Sequence, residues 1–140
     1  MPTGVSGTGE IRFDHGTAGA VLTGALVDAA DGRAVVASVQ RTSNAWERLR
    51  GLLGRPCPGP GQGLLIDPCG SVHTLFMAYP IDVVYLDRRL RVVQVTASLR
   101  PWRLSFARGA ALTLELAPNT AAALGITAGR QLAWRPGAAG

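Results

Sequence analysis

The apolar residues of this 140-residue chain fall into short runs separated by turn-forming segments. Runs of about four to eight apolar and β-branched residues between Gly, Pro and Asp clusters are typical of β-strands, whereas amphipathic helices need a longer stretch of 3.6-residue period. The sequence therefore predicts a strand-rich fold. The predicted strands are Val21 to Val27, Arg33 to Gln40, Leu64 to Asp67, Ile81 to Asp87, Leu90 to Thr96, Ala111 to Leu116 and Gln131 to Trp134.

Helical patterns are confined to two segments. A helix is predicted from residues 42–44 to residues 51–53, because Gly54 supplies a stop and four apolar residues share one stripe: Trp46, Leu49, Leu52 and Leu53. A shorter helix is predicted over Pro118 to Leu124. Hydrophobic residues make up 47% of the chain and charged residues 16%, which argues against disorder, and the richness in Gly, Pro, Val and Leu disfavours a helical bundle.

The length predicts a single domain, since folding at this size buries roughly two thirds of the surface of the unfolded chain. Residues 1–17 are predicted to be a disordered tail, residues 18–135 the β-rich domain, and residues 136–140 a frayed tail. No basic segment followed by an apolar core opens the sequence, so we expect no secretory signal, a cytoplasmic location and no membrane insertion.

All 14 basic residues are arginine, and the formal net charge is +5. The arginines fall into three scattered groups, within residues 48–55, 88–91 and 100–108. Nucleic-acid binders usually concentrate their charge in one stripe or patch, so Arg-driven nucleic-acid binding is a disfavoured alternative. The sequence also lacks the P-loop, the dinucleotide-binding fingerprint, the hydrolase nucleophile elbow and the His-Glu-x-x-His motif.

Four motifs follow one another along the chain: ERLRGLLGR at residues 47–55, VHTLFM at 72–77, PIDVVYLD at 80–87 and LEL at 114–116. In this order they resemble the prokaryotic family called domain of unknown function 192. The resemblance implies a compact, mostly antiparallel β-sandwich or barrel with one or two short helices, in agreement with the predicted strands. It implies no activity, because the biochemical role of that family is unsettled.

The stretch from Cys69 to Asp82 brings a thiol, an imidazole, a thioether and a carboxylate into fourteen residues of an otherwise apolar chain. We expect a small polar site in an apolar surround here, belonging to a binding or accessory module. On the strand that holds Glu115, Leu114 and Leu116 alternate toward the core, so the face of Glu115 is expected to be solvated. The candidate ligand-binding or anchoring residues are His73, Thr74, Met77, Asp82 and Glu115.

Asp82 lies in a strand whose other residues are apolar, so its burial would cost several kcal/mol without partners. We predict a structural role, either as acceptor for backbone N–H groups in the turn after Pro80 or as the ion-pair partner of Arg48. The alternative is a polar anchor inside a ligand pocket, together with His73 and Glu115.

A metal-dependent or Cys/His enzyme is the rival interpretation, centred on Cys69, His73 and Asp82. It needs a bend in the chain, because on a straight strand the Cα atoms of Cys69 and His73 lie roughly 13 Å apart. Cys57, Cys69 and His73 are the candidate metal ligands, but they lack the spacing of known zinc motifs. We therefore expect no cofactor, lean against an enzyme, and expect an unidentified small ligand or protein as the partner.

Overall fold

Nine strands and one short helix make up the part of the chain that the structure, a computed structural model, describes: residues 21–42 and 51–137. No helix within these ranges is long and apolar enough to span a bilayer. The elements are β1 (Val21–Asp28), β2 (Ala34–Thr42), β3 (Gln62–Ile66), β4 (Ser71–His73), β5 (Ile81–Leu86), β6 (Val92–Leu99), β7 (Leu104–Phe106), β8 (Leu112–Leu116), α1 (Thr120–Ala123) and β9 (Leu132–Pro136).

The mostly β prediction is confirmed, and each of the seven predicted strands is found with ends displaced by at most three residues. The prediction missed β4 and β7, which have only three residues each. The short second helix is found as α1. The first predicted helix lies largely on residues 43–50, outside the described residues, as do residues 1–17. The last strand reaches Pro136, the first residue of the segment predicted to fray.

Seven strands form one mixed sheet in the order β6-β5-β8-β3-β2-β1-β9, and β4 pairs with β7 in a separate two-stranded sheet. Neighbours are antiparallel except for β2 and β3, which are parallel. The strands of this parallel pair are connected by the long segment 43–61, as expected because a parallel pair needs a crossover of about a dozen residues or more. The sheet is not a closed barrel, since its edge strands meet only at an isolated bridge between Arg91 and Gln131.

The central strands β3, β5 and β8 are buried on both faces. On β5, Val84 and Leu86 join a hydrophobic cluster that includes Ala121 of α1. The alternate residues of β5, including Ile81 and Tyr85, join a second cluster on the opposite face. This second cluster is completed by Leu52, Val72 and Met77, which come from outside the large sheet. Both faces of the sheet therefore need a cover, and the second cover positions the candidate site.

Asp82 is fully buried on the face of β5 that packs toward α1. Its Oδ1 atom accepts hydrogen bonds from the backbone N–H groups of Ser98 (2.8 Å) and Asn119 (3.0 Å), and Oδ2 accepts one from Ala121 (2.9 Å). The carboxylate thereby joins β5 to β6 and α1. These donors lie far along the chain, which corrects the prediction that they belong to the turn after Pro80.

We predict that Asp82→Ala lowers the free energy of unfolding by about 3 to 5 kcal/mol, because three backbone N–H groups lose a charged, buried acceptor. Urea denaturation at neutral pH measures the change. The matched control is Asp31→Ala, which removes a carboxylate that accepts one bond, from the Arg33 N–H group, in an exposed turn. The control is expected to cost about 1 kcal/mol or less. Equal costs for the two variants would contradict the structural role of Asp82.

Candidate functional site

A cavity of about 580 Å³ lies between the two-stranded sheet and the second face of the large sheet. The Tyr85 hydroxyl of β5 donates to Ser105 Oγ of β7 at 2.7 Å, which ties the two sheets together beside the cavity. The wall is mainly apolar, with a few polar groups. Leu52, Val72, Met77, Ile81, Leu104 and Phe106 supply much of the apolar surface, and Cys69, Ser71, His73, Ser105 and Glu115 supply polar groups.

Glu115 on β8 is 4% exposed and lines the cavity. Its carboxylate accepts a hydrogen bond from the backbone N–H group of Leu52, but Oε2 has no hydrogen-bond partner among the described residues. Burial raises the pKa of Glu115 to about 7, although the Leu52 bond and the nearby Arg55 guanidinium act in the opposite direction. The carboxyl group therefore exchanges between its neutral and charged forms near neutral pH.

Gly51 lies against this carboxylate. A Cβ atom at position 51 would lie 2.9 Å from Glu115 Oε1 and 3.0 Å from Oε2, and the φ angle of Gly51 is +54°. Both facts favour glycine, which has no Cβ and adopts positive φ without strain. The prediction of a solvated face for Glu115 is wrong, because residues 51 and 52 and the β4–β7 sheet cover that face.

His73, at the end of β4, lines the same cavity. Its Nδ1 atom is buried and has no hydrogen-bond partner in the described part of the chain. Met77 is 8% exposed and also contributes to the wall. The structure thus brings three of the five candidate residues, His73, Met77 and Glu115, to one cavity.

Thr74 and Asp82 do not line this cavity. The Thr74 hydroxyl accepts a hydrogen bond from the Arg103 N–H group at 2.8 Å, and the Thr74 N–H group donates to Arg103 O at 2.9 Å. These bonds anchor the 100–103 segment, so the role of Thr74 is structural. Asp82 faces the opposite side of the large sheet, which corrects its alternative placement as a pocket anchor. Arg48 lies outside the described residues, and its pairing with Asp82 stays a prediction.

The Cys69, His73 and Asp82 constellation is not assembled. Cys69 and His73 line the cavity, whereas Asp82 lies on the other face of the sheet. The Cys69 thiol donates to Ser71 O at 3.0 Å, and Cys57 is exposed and away from the cavity wall. Within residues 21–42 and 51–137, no three His, Cys, Asp or Glu side chains come together as metal ligands.

Sequence reasoning missed Gly51 and, on β7, Leu104 and Ser105 as parts of the site. A signal for β7 exists in the alternation of Leu104, Ser105 and Phe106, but three residues are too few to establish a period. In the sequence, Gly51 is recognisable only as part of the end of the first predicted helix. Its contact with Glu115 joins positions 64 residues apart, which no local pattern reveals.

Comparisons with known proteins give a family and a fold. The model of the family DUF192, described as "Uncharacterized ACR, COG1430", matches residues 26–134. UPF0127 protein PH1112 of Pyrococcus horikoshii is 53% identical to this chain over 34 residues. That match covers 24% of this chain and 29% of the relative, so the chain matches less than a third of that protein's length.

Two crystal structures resemble the fold. One, from Sinorhizobium meliloti 1021 and named as a candidate transcription regulator, has a TM-score of 0.68 and 21% identity over 84% of this chain and 96% of that chain. The other, a protein of unknown function from Novosphingobium aromaticivorans, has a TM-score of 0.63 and 20% identity over 85% of this chain and 94% of that chain. At these identities the likeness shows the fold alone.

Because of the Glu115 carboxyl group, we predict that the free energy of unfolding depends on pH. Its pKa rises from 4.5 to about 7 on folding, so between these values the folded state keeps a proton that the unfolded state has lost. Stability therefore falls as the pH rises through this window. The glutamine of Glu115→Gln cannot ionise. We therefore expect the free energy of unfolding of the variant, minus that of the wild type, to increase by about 3 kcal/mol from about pH 5 to about pH 8.

Urea denaturation at several pH values measures this difference. Thr113→Val is the matched control, because it changes an uncharged residue on the same strand and face. Its curve against pH should run parallel to that of the wild type. If the Glu115→Gln curve also runs parallel, the carboxyl group does not titrate as its burial requires.

Proposed function

Because this chain belongs to DUF192, a family described as uncharacterised, its role has to be argued from its own cavity, and we propose that it is a binding module for a small organic molecule. The observation that carries the proposal is the unpartnered Oε2 atom of Glu115, buried in the cavity wall. A buried acceptor without a partner costs about 1 to 3 kcal/mol. A ligand with a hydrogen-bond donor would recover that free energy.

The size and lining of the cavity support a small ligand. Its volume of about 580 Å³ falls within the range of about 300 to 1,000 Å³ that is typical of small-molecule sites. Such sites combine a mainly apolar wall with a few polar groups that orient the ligand. Leu52, Val72 and Ile81 are suited to an apolar body, and Glu115 and His73 to its polar end.

The chemistry of the polar end defines the ligand further. Ionised Glu115 accepts from an N–H or O–H group, and the unpartnered His73 Nδ1 atom offers a second polar contact. A donor at Oε2 stabilises the charged carboxylate, so binding should lower the pKa of Glu115 from its raised value. We infer a ligand with an apolar body and at least one strong hydrogen-bond donor.

The placement of the thiol favours binding over Cys/His catalysis. A cysteine nucleophile needs a base within hydrogen-bond reach and a third group that orients the base. The Cys69 thiol instead donates to the backbone at Ser71 O, and His73 Nδ1 has no hydrogen-bond partner among the described residues.

A fragment screen by two-dimensional NMR tests the proposal. The probes are pairs of small aromatic and aliphatic molecules, matched in shape, in which one member carries an amine, amide N–H or hydroxyl donor and the other does not. We expect donor fragments to shift the amide resonances of Leu52, His73 and Ser105 in the wild type. Glu115→Gln should weaken their binding by about tenfold or more, because a bond to a charged acceptor is lost.

Asp31→Ala is the control here, since Asp31 lies in an exposed turn and does not line the cavity, and its fragment affinities should equal those of the wild type. Two results would contradict the proposal. One is the absence of any fragment that shifts resonances around the cavity. The other is that the wild type and Glu115→Gln each bind the donor fragment and the matched non-donor fragment with equal affinity.

A further inference from the structure

Four large apolar side chains are exposed together beside the mouth of the cavity. Phe76 is 70% exposed, Trp102 56%, Leu104 78% and Phe106 75%, and we call these four residues the apolar rim. The Phe76 and Trp102 rings contact each other with centroids 4.6 Å apart. Among the described residues, the other large hydrophobic side chain with comparable exposure is Leu22 on β1. Large exposed apolar patches mark interaction sites, and Leu104 and Phe106 of the rim also line the cavity.

The backbone of the rim has two aromatic residues in the left-handed region. Phe76 and Trp102 both have φ angles of +64°, a region that bulky residues rarely adopt. Glycine would occupy either position without strain. Because both side chains are largely exposed, they gain little from burial in return. The Trp102 N–H group donates to Thr74 O at 2.9 Å, so backbone hydrogen bonds hold the Trp102 ring in its exposed position.

β7 also has an unpaired side. It pairs with β4, and no other described strand pairs with it. The bonds from Thr74 N–H to Arg103 O and from Ala107 N–H to Gly70 O set the alternation of this antiparallel ladder. Along β7, residues that bond to β4 alternate with residues whose N–H and C=O groups point away from β4. Leu104 and Phe106, the first and last residues of β7, are of the second kind. An extended chain can therefore add to β7 as a further strand.

The charge around the rim is positive. Arg100, Arg103 and Arg108 are exposed and flank β7, and none of them forms an ion pair with a described acidic residue. From residue 99 to residue 108 the sequence has three arginines and no Asp or Glu. Arginine and aromatic residues are enriched at the centres of protein interfaces. A partner of this surface should carry acidic residues.

We propose that the apolar rim and the unpaired side of β7 bind an extended, acidic segment of a partner protein, which adds to β7 as a β-strand. Alternate apolar side chains of that segment would pack on Leu104 and Phe106, and its carboxylates would face the flanking arginines. The unpaired backbone groups favour a peptide over a nucleic acid or a membrane, because neither of those supplies a matching ladder of hydrogen bonds. This inference goes beyond ligand binding in the cavity.

Selection from a phage-displayed library of random dodecapeptides tests the proposal. Peptides enriched on the full chain are synthesised, and their affinities are measured by fluorescence anisotropy. We expect acidic peptides with apolar residues at alternate positions, whose binding weakens as salt is added. Leu104→Pro and Leu104→Ala form the key pair, since both remove the side chain and only proline removes the outward N–H group.

Leu104→Pro should weaken binding by about tenfold relative to Leu104→Ala, and the double variant Arg103→Glu with Arg108→Glu should weaken it by at least as much. Leu22→Ala, on the distant exposed leucine, should bind as the wild type does. Circular dichroism checks the fold of each variant. If Leu104→Pro does not fold, Phe106→Ala and the arginine variant still decide the result.

Several outcomes would overturn the proposal. Enrichment of no peptide, enrichment of basic peptides, or equal affinities for Leu104→Pro and Leu104→Ala would each contradict an added acidic strand. Oligothymidylate or anionic phospholipid vesicles that bind through the same residues, without peptide binding, would show that the surface takes another occupant. Self-association of the wild type that Phe106→Ala abolishes would identify a second copy of the chain as that occupant.

Discussion

The two-sided burial of β3, β5 and β8 is the constraint on which the rest of the structure depends. Strands whose alternate residues are apolar on both faces must be covered twice. One face packs with α1, and the other receives Leu52, Met77 and the β4–β7 sheet. The second cover is assembled from short loops and two three-residue strands, which fill the space incompletely. The cavity lies where this cover is open, and Glu115 lies in its wall.

Two buried carboxylates on neighbouring strands have different hydrogen-bond partners on the two faces of the sheet. Asp82 pairs with Leu116 across the ladder, and Val83 pairs with Glu115, so the two acids are close in register but face opposite sides. Asp82 receives three backbone N–H bonds, whereas Glu115 Oε2 receives none from the described residues. The burial of Asp82 is explained by its contribution to the stability of the fold. Glu115 lowers stability at neutral pH, as functional groups in binding sites often do.

The sequence predicts those parts of the fold that local patterns determine. Strands of five or more residues, such as β5 and β8, contain apolar runs long enough to be recognised, but β4 and β7 do not. Alternation on β8 correctly assigned Glu115 to the face opposite Leu114 and Leu116. It could not show that this face is also covered, because the cover comes from residues far away in sequence. The donors to Asp82 were missed for the same reason, since they belong to residues 98, 119 and 121.

The cavity and the rim are physically connected, because Leu104 and Phe106 belong to both. A strand added to β7 would rest on side chains whose other atoms line the cavity, so each occupant changes the surroundings of the other. Coupling between two such sites is reciprocal in affinity. The link between them is mechanical as well, since Tyr85 ties β7 to the central strand β5 through Ser105. A partner that stiffens β7 therefore acts on the same wall that a ligand at Glu115 contacts.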